Sequence, residues 1–367
     1  MTEQRDRRSV WARCERAVGG FSPAQRDPRT TLLALAEQAP SNDEVDLYGE
    51  RALAERLEGR VASLLGKEAA VWMPSGTMAQ QIALRIHCER RANRRIAFHP
   101  LCHLNADEEG GYAHLHRLHA DLLGSRGRLP RLADFEAIRE PLGAVLLELP
   151  ARGLGGQLPP WDELAAFCAK AREREVALHM DGARLWQCAP FYGRPLDEIA
   201  ALFDTVYVSF YKDLGAPAGA ALAGTRDVID EARVWQVRHG GRLFAAYPFL
   251  IAAERGLDEV LPRMPEFVSR AKELAATLEG LDHVAILPDP PQTAMFHVLV
   301  GRELELLNEA ALDIAERTRT YVGTFFATDV PGVQITELTV DAGSFEVAPD
   351  EVRELYSELL STSSTSD

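Results

Sequence analysis

The chain has 367 residues, 46% of them apolar and 26% charged, a balance that excludes disordered, fibrous and collagenous classes. Its length is well beyond the roughly 150 residues of a typical single domain, which predicts a large domain with a smaller one attached. With 40 basic against 55 acidic residues the net charge is −15, which argues against nucleic acid or anionic membrane as a partner and leaves a small molecule as the expectation.

The opening MTEQRDRRSVWARCERAV is charged from the start and lacks the apolar segment of a signal peptide. No run reaches the roughly 18 apolar residues of a membrane helix. Cys14, Cys88, Cys102, Cys168 and Cys188 form an odd set without a C-x-x-C pair, so neither a disulfide framework nor a zinc ribbon is expected. A reducing, cytoplasmic setting fits.

Short apolar runs then alternate with helical patterns through 50–65, 69–73, 76–92, 95–98, 131–139, 143–150, 161–174, 176–181, 205–211 and 218–224. Such alternation predicts an α/β fold with a mostly parallel sheet covered on both faces. After Arg226 long helical segments dominate, with strand-like runs only at 293–300 and 333–340, which predicts a second, smaller α/β unit. The expected division is 1–44 as an N-terminal segment, 45–250 as the large domain and 251–360 as the small one, with the boundary in a long helix around 242–265. Residues 361–367, STSSTSD, are too small and polar to bury and read as a frayed tail.

Three stretches carry chemistry. In YVSFYKDLGAPAGAALAG, residues 207–224, one lysine ends an aromatic, apolar run. Poor solvation there would lower the pKa of Lys212 and favour imine formation with an aldehyde; the alternative is the solvated end of a strand. His179-Met180-Asp181-Gly182-Ala183-Arg184 follows an apolar run, which puts Asp181 at the C-terminal edge of a parallel strand, where ligands bind. Asp181 can pair with a protonated ring nitrogen and Arg184 with the same ligand or its carboxylate; a surface ion pair is the alternative. Met73-Pro74-Ser75-Gly76-Thr77-Met78 precedes a helical pattern, so the N–H groups after Ser75 form either a phosphate cup or a plain helix cap.

Residues 99–119 hold His99, His103, His114, His116 and His119, but His114-x-His116-x-x-His119 lacks the carboxylate or cysteine spacing of a metal site. No metal is expected. His103, followed by Glu108-Glu109-Gly110-Gly111, can instead stack on an aromatic cofactor and carry a proton.

In sequence order these stretches, with Asp46-x-Tyr48-Gly49-Glu50 ahead of them, resemble the threonine aldolase branch of the β-eliminating lyases, fold-type-I pyridoxal-phosphate enzymes, over about residues 45 to 240. The resemblance implies that Lys212 carries the cofactor in imine linkage, that Asp181 keeps the pyridine nitrogen protonated and that His103 stacks on the ring. It further implies that Ser75, Gly76 and Thr77 hold the phosphate, that Arg184 reaches the cofactor oxygen or the substrate carboxylate, and that Tyr48 completes a site shared across a homodimer or homotetramer. Trp72, Trp186 and Trp235 are aromatic candidates for such an interface, with a place in the core as the alternative that each one alone favours.

The chain departs from this family where substrate is bound. Ala17 to Pro23 replaces an Arg-Ser-Asp segment, and Leu149-Pro150-Ala151-Arg152 replaces Asn-Thr-His-Asn, whose histidine faces the substrate hydroxyl. Gly240 to Ala245 keeps only Arg242 near the family arginine, and Val333 to Glu337 replaces Arg-x-Val-Thr-His. Retro-aldol cleavage of a β-hydroxy-α-amino acid is the expected activity, with His103, Glu108 or a phosphate-bound water as base. The alternatives are β-elimination, transaldol transfer or racemisation on a specialised substrate, and a pyridoxal-phosphate-binding protein without turnover.

Overall fold

A computed structural model describes residues 7–20, 27–39, 48 and 52–361. Asp46, Gly49, Glu50, Phe21, Ser22, Pro23 and 362–367 of the tail lie outside the described residues. Ser361, read above as part of that tail, closes a helix, Pro349–Ser361.

Residues 35–263 form one compact unit and the two ends of the chain form the other. In the large unit, strands β1 (Ala69–Met73), β2 (Arg95–Phe98), β3 (His119–Leu122), β4 (Ala144–Glu148), β5 (Ala177–Gly182), β6 (Thr205–Ser209) and β7 (Ala220–Gly224) make a seven-stranded sheet of order β1-β7-β6-β5-β4-β2-β3. Only β7 runs antiparallel to its neighbours. β5, β6 and β7 are buried at every residue, as apolar strands covered on both faces must be.

Helix α1 (Ala52–Leu64) packs on β1, and α2 (Gly76–Arg90) lies against β6 and β7 beside α3 (Arg226–Arg238). Val71, Met73, Ile82, Ile86, Leu222 and Ile229 form the core between them. β3 was not expected: HADL has no apolar run, and as an edge strand with three exposed residues it needs none.

The expected single helix around 242–265 is interrupted. Tyr247–Arg255 is α-helical, Gly256–Val260 widens into a π turn, Leu261–Arg263 tightens, and a new helix runs Met264–Leu278. Pro262 and Pro265, which lack a backbone N–H, sit at the junction. The division therefore falls after Arg263 and not after 250, because Tyr247–Arg255 packs on α1, with Glu254 bridging Arg56 at 3.1 Å and Arg60 at 2.8 Å.

The small unit has a four-stranded antiparallel sheet in which Met295–Val300 lies between Val284–Leu287 and Gln334–Thr339, with Phe326–Ala327 at the far edge. The sequence reading lacked Val284–Leu287, a short and half-exposed edge. The expected N-terminal segment 1–44 is divided, with this unit taking it only as far as Ala34: Arg16–Ala17 pairs in parallel with Thr320–Tyr321, and Val10 and Cys14 pack on Leu312 and Ala315.

Candidate active site

The C-terminal ends of β4, β5 and β6 lie side by side, with Glu148 in register with Asp181 and Asp181 with Tyr207. Charged groups therefore meet where the parallel strands end, the edge at which open α/β sheets bind ligands. Lys212 follows in the connection between β6 and β7, three residues beyond the strand that the sequence reading carried to 211. Burial lowers the pKa of its ammonium, against the opposing pull of Asp181. Its Nζ stands 5.8 Å from the Tyr211 ring centroid.

Asp181 is buried. Its Oδ1 accepts the Ala183 N–H at 3.0 Å, whereas Oδ2 has no hydrogen-bond partner. Burial pushes this carboxyl upward, with Lys212 and His103 acting the other way. Glu148 accepts the His103 N–H at 2.9 Å and the Arg152 N–H at 2.7 Å, and desolvation together with Asp181 raises it to about 7. Glu148 falls inside the apolar run 143–150 and is not among the sequence-predicted site residues. Its signal, an acid interrupting an apolar run, is the one that marked Asp181.

His103 opens the turn His103–Ala106 and sets Nδ1 3.0 Å from Glu108 Oε1, a contact that raises the imidazole pKa. Arg184 Nε lies 3.9 Å from Asp213 Oδ1, which also accepts the Gln187 amide at 2.7 Å, so a buried acid beside the lysine faces the partly buried arginine.

Ser75 caps α2, its Oγ accepting the Met78 N–H at 3.3 Å. The N–H groups that follow stand at the positive end of the helix dipole. Gly76 is required there, since a Cβ would lie 2.0 Å from the Tyr207 hydroxyl. Tyr207 in turn meets Tyr211 at 3.4 Å between the two hydroxyls. Lys212, Asp181, His103, Arg184 and the Ser75-Gly76-Thr77 turn thus all belong to the large unit.

Tyr48 contacts a different set. It donates its N–H to the Phe244 carbonyl at 2.9 Å, accepts from Arg242 Nε at 3.0 Å and packs edge-on against the Phe244 ring. With Glu58, Trp72, Arg233, Gln236 and Arg242 it lines a cavity of about 190 Å³. Of the tryptophans weighed between interface and core, Trp72 and Trp186 lie in the core, and Trp235 is gripped by Arg85 and Arg238, whose guanidiniums lie 3.8 and 4.3 Å from its ring centroid. Phe244, against the Tyr48 ring, and Val237, on the same cavity, are both exposed.

The five histidines of 99–119 do not gather. His116 lies beside His239, His99 Nε2 meets the Ser125 and Arg128 carbonyls, and His119 is exposed. Among the described residues no group of three or more potential ligands could hold a metal.

A group that suits the cluster brings an N–H to Asp181 Oδ2, an anion to the start of α2 and an aldehyde to Lys212. Pyridoxal phosphate has all three, and the partnerless buried oxygen and the cradle that excludes a Cβ fit it.

The beta-eliminating lyase family model matches residues 27–301. The chain is similar to low-specificity L-threonine aldolase 1 of Arabidopsis thaliana, with 31% identity over 67% of this chain and 71% of that protein. It is also similar to the low specificity L-threonine aldolase of Escherichia coli strain K12, with 31% identity over 78% of this chain and 84% of that one. A solved structure from Listeria monocytogenes, described as a candidate L-allo-threonine aldolase, superposes with a TM-score of 0.91 at 36% identity, covering 96% of this chain and 98% of that chain.

Proposed function

Because the chain belongs to the beta-eliminating lyase family, we propose that it is a pyridoxal-phosphate-dependent carbon–carbon lyase of fold type I that cleaves a β-hydroxy-α-amino acid to glycine and an aldehyde. The observation that carries this reading is Asp181 Oδ2, a buried acceptor without a partner at the strand edge beside a desolvated lysine. A buried polar atom left unmatched costs free energy unless a ligand matches it.

In this reading Lys212 carries the cofactor, its lowered pKa supplying the neutral amine that attack on an aldehyde needs. Asp181 Oδ2 accepts the pyridine N–H, the N–H groups at Ser75, Gly76 and Thr77 hold the phosphate, and His103 packs on the ring. When bound, the cofactor supplies an electron sink for the carbon that bears the amino group. Arg184 takes the substrate carboxylate while Asp213 and Gln187 fix its direction.

The base for the β-hydroxyl proton is His103 Nε2, since Nδ1 already faces Glu108. As that proton leaves the oxygen, the Cα–Cβ bond breaks and the aldehyde carbonyl forms. Glu108, the other side chain weighed for this step, is occupied by Gln80, Gln81 and His103.

The exposed apolar groups gathered at Tyr48, Val237 and Phe244 support a homodimer or homotetramer in which Tyr48 serves the neighbouring subunit. No helix among the described residues is long and apolar enough to cross a membrane. The five cysteines are all free and buried, which suits the reducing cytoplasm.

The test is to offer the cofactor-loaded protein threonine, allo-threonine, serine and other β-substituted amino acids and to measure the products. Aldehyde with glycine in equal amounts is expected. Ammonia with a keto acid selects β-elimination and overturns the reading, as does the absence of any product.

A further inference from the structure

Glu108 has no exposed side-chain surface, and both of its oxygens are used. Oε1 accepts from Gln80 Nε2 at 2.9 Å and faces His103 Nδ1 at 3.0 Å, while Oε2 accepts from Gln81 Nε2 at 2.8 Å. The two amides come from adjacent positions on α2, and the imidazole comes from the turn at the end of β2. Gly111 is what lets Gln81 come so close, because a Cβ there would stand 2.4 Å from the amide nitrogen and 2.8 Å from its oxygen. The Glu-x-Gly-Gly run therefore has a physical reason: an acid, then a backbone close enough to clamp the amide that holds the acid.

A carboxylate held by three groups has no freedom to swing toward a substrate. It can, however, fix the ring it touches. We propose that Glu108 is a positioning residue: it keeps the proton of the neutral His103 ring on Nδ1, so that Nε2 is the nitrogen left free to accept a proton, and Gln80, Gln81 and Gly111 are its scaffold. The inference rests on reading His103 as the base. The same contact raises the imidazole pKa; of the other charges around the ring Asp181 acts in the same sense and Lys212 opposes, while Glu148 holds the His103 backbone N–H. Carboxylates that orient a functional histidine in this way fix both its tautomer and its basicity.

The test is nitrogen-15 NMR of the histidine rings in the full-length protein, with and without pyridoxal phosphate, His103 being assigned with His103→Gln. Above its pKa the wild-type ring is expected to carry its proton on Nδ1; an Nε2-protonated ring overturns the inference with no variant needed. Glu108→Gln is expected to lower the His103 pKa by about one unit and to move the acidic limb of the kcat/KM profile down with it. The plateau of kcat should fall about 10–100-fold. Glu109→Gln, at the exposed neighbour, should change neither. A Glu108→Gln protein whose His103 titrates like the wild type overturns the inference. A shifted titration with an unshifted kcat/KM profile supports the positioning and overturns His103 as the base.

Discussion

His179 and Asp181 stand two residues apart on β5, and so on one face of the sheet, and burial treats them differently. His179 Nδ1 meets the Thr205 hydroxyl at 2.8 Å, and the same hydroxyl meets His87 Nε2 at 2.8 Å. Desolvation drives His179 down to about 3 and His87 down to about 4, so the inner pair is neutral at physiological pH. His179 Nε2 has no partner either, but a neutral ring nitrogen brings no charge that must be matched. Asp181, at the strand edge, has one oxygen bonded within the chain and one with nothing to accept from, opposite a lysine. Burial of polar groups alone therefore does not mark a site. Unmatched hydrogen-bonding capacity at the strand edge does.

If the edge is built for chemistry and the interior for stability, substitutions at the two places should separate the two properties. The largest effect is expected from Lys212→Ala, which should abolish turnover and the visible absorbance of lysine-bound cofactor while leaving the unfolding midpoint nearly unchanged. Lys67 and Lys170 are engaged elsewhere, Lys67 with the Phe203 carbonyl at 2.6 Å and Lys170 with Glu173 at 2.9 Å. Borohydride trapping of the cofactor on either of them would refute the assignment.

Next comes Asp181→Asn, which should retain bound cofactor yet lose turnover by several orders of magnitude, because an amide cannot stabilise a protonated pyridine. Near-normal kcat in that variant would remove the distinction between the edge and the interior of β5.

Tyr48→Ala should have a smaller effect on each chain's fold, since the side chain is about half exposed, and it tests whether the edge cluster is complete within one chain. When Tyr48→Ala and Lys212→Ala chains are unfolded together and reassembled, mixed dimers should recover part of the wild-type rate. Mixed dimers no more active than Tyr48→Ala alone would mean that Tyr48 serves its own subunit or none.

The strands that position the site were legible because parallel strands covered on both faces read as nearly continuous apolar runs, as β4 does up to Glu148 and β5 does but for His179 and Asp181. Asp181 and Lys212 were legible for the complementary reason, each being a charge that interrupts such a run. β3 and Val284–Leu287 were not, since exposed edges place no demand on side-chain polarity. The support for His103 was hidden for another reason. Glu108 meets Gln80 and Gln81 across 28 and 27 residues of chain, and two adjacent amides on a mostly buried helix create no periodic signal. Contacts of that range are decided by which strand neighbours which, and local pattern does not encode this.

The smallest effect, and the sharpest test of the interior half of the comparison, concerns acid stability. In the unfolded chain a histidine titrates near 6.5, while His87 and His179 in the fold titrate near 4 and 3. Between those values the unfolded state binds more protons, so this contribution is fully present above about pH 6.5 and is lost as the pH falls toward 4. The limiting slope is about 1.4 kcal/mol per pH unit for each histidine. The edge acids act with the opposite sign: Glu148, raised to about 7 in the fold, binds protons more readily folded than unfolded, and so favours folding at low pH. A single pH profile would mix the two. Comparing urea midpoints of wild type and His179→Gln, both freed of cofactor, at pH 7, 6 and 5 cancels the edge contribution, because Glu148 and Asp181 are common to both. The variant, whose amide can still bond Thr205, should start less stable and gain on the wild type as the pH drops. Parallel profiles would mean that the interior pair does not hold its histidines neutral.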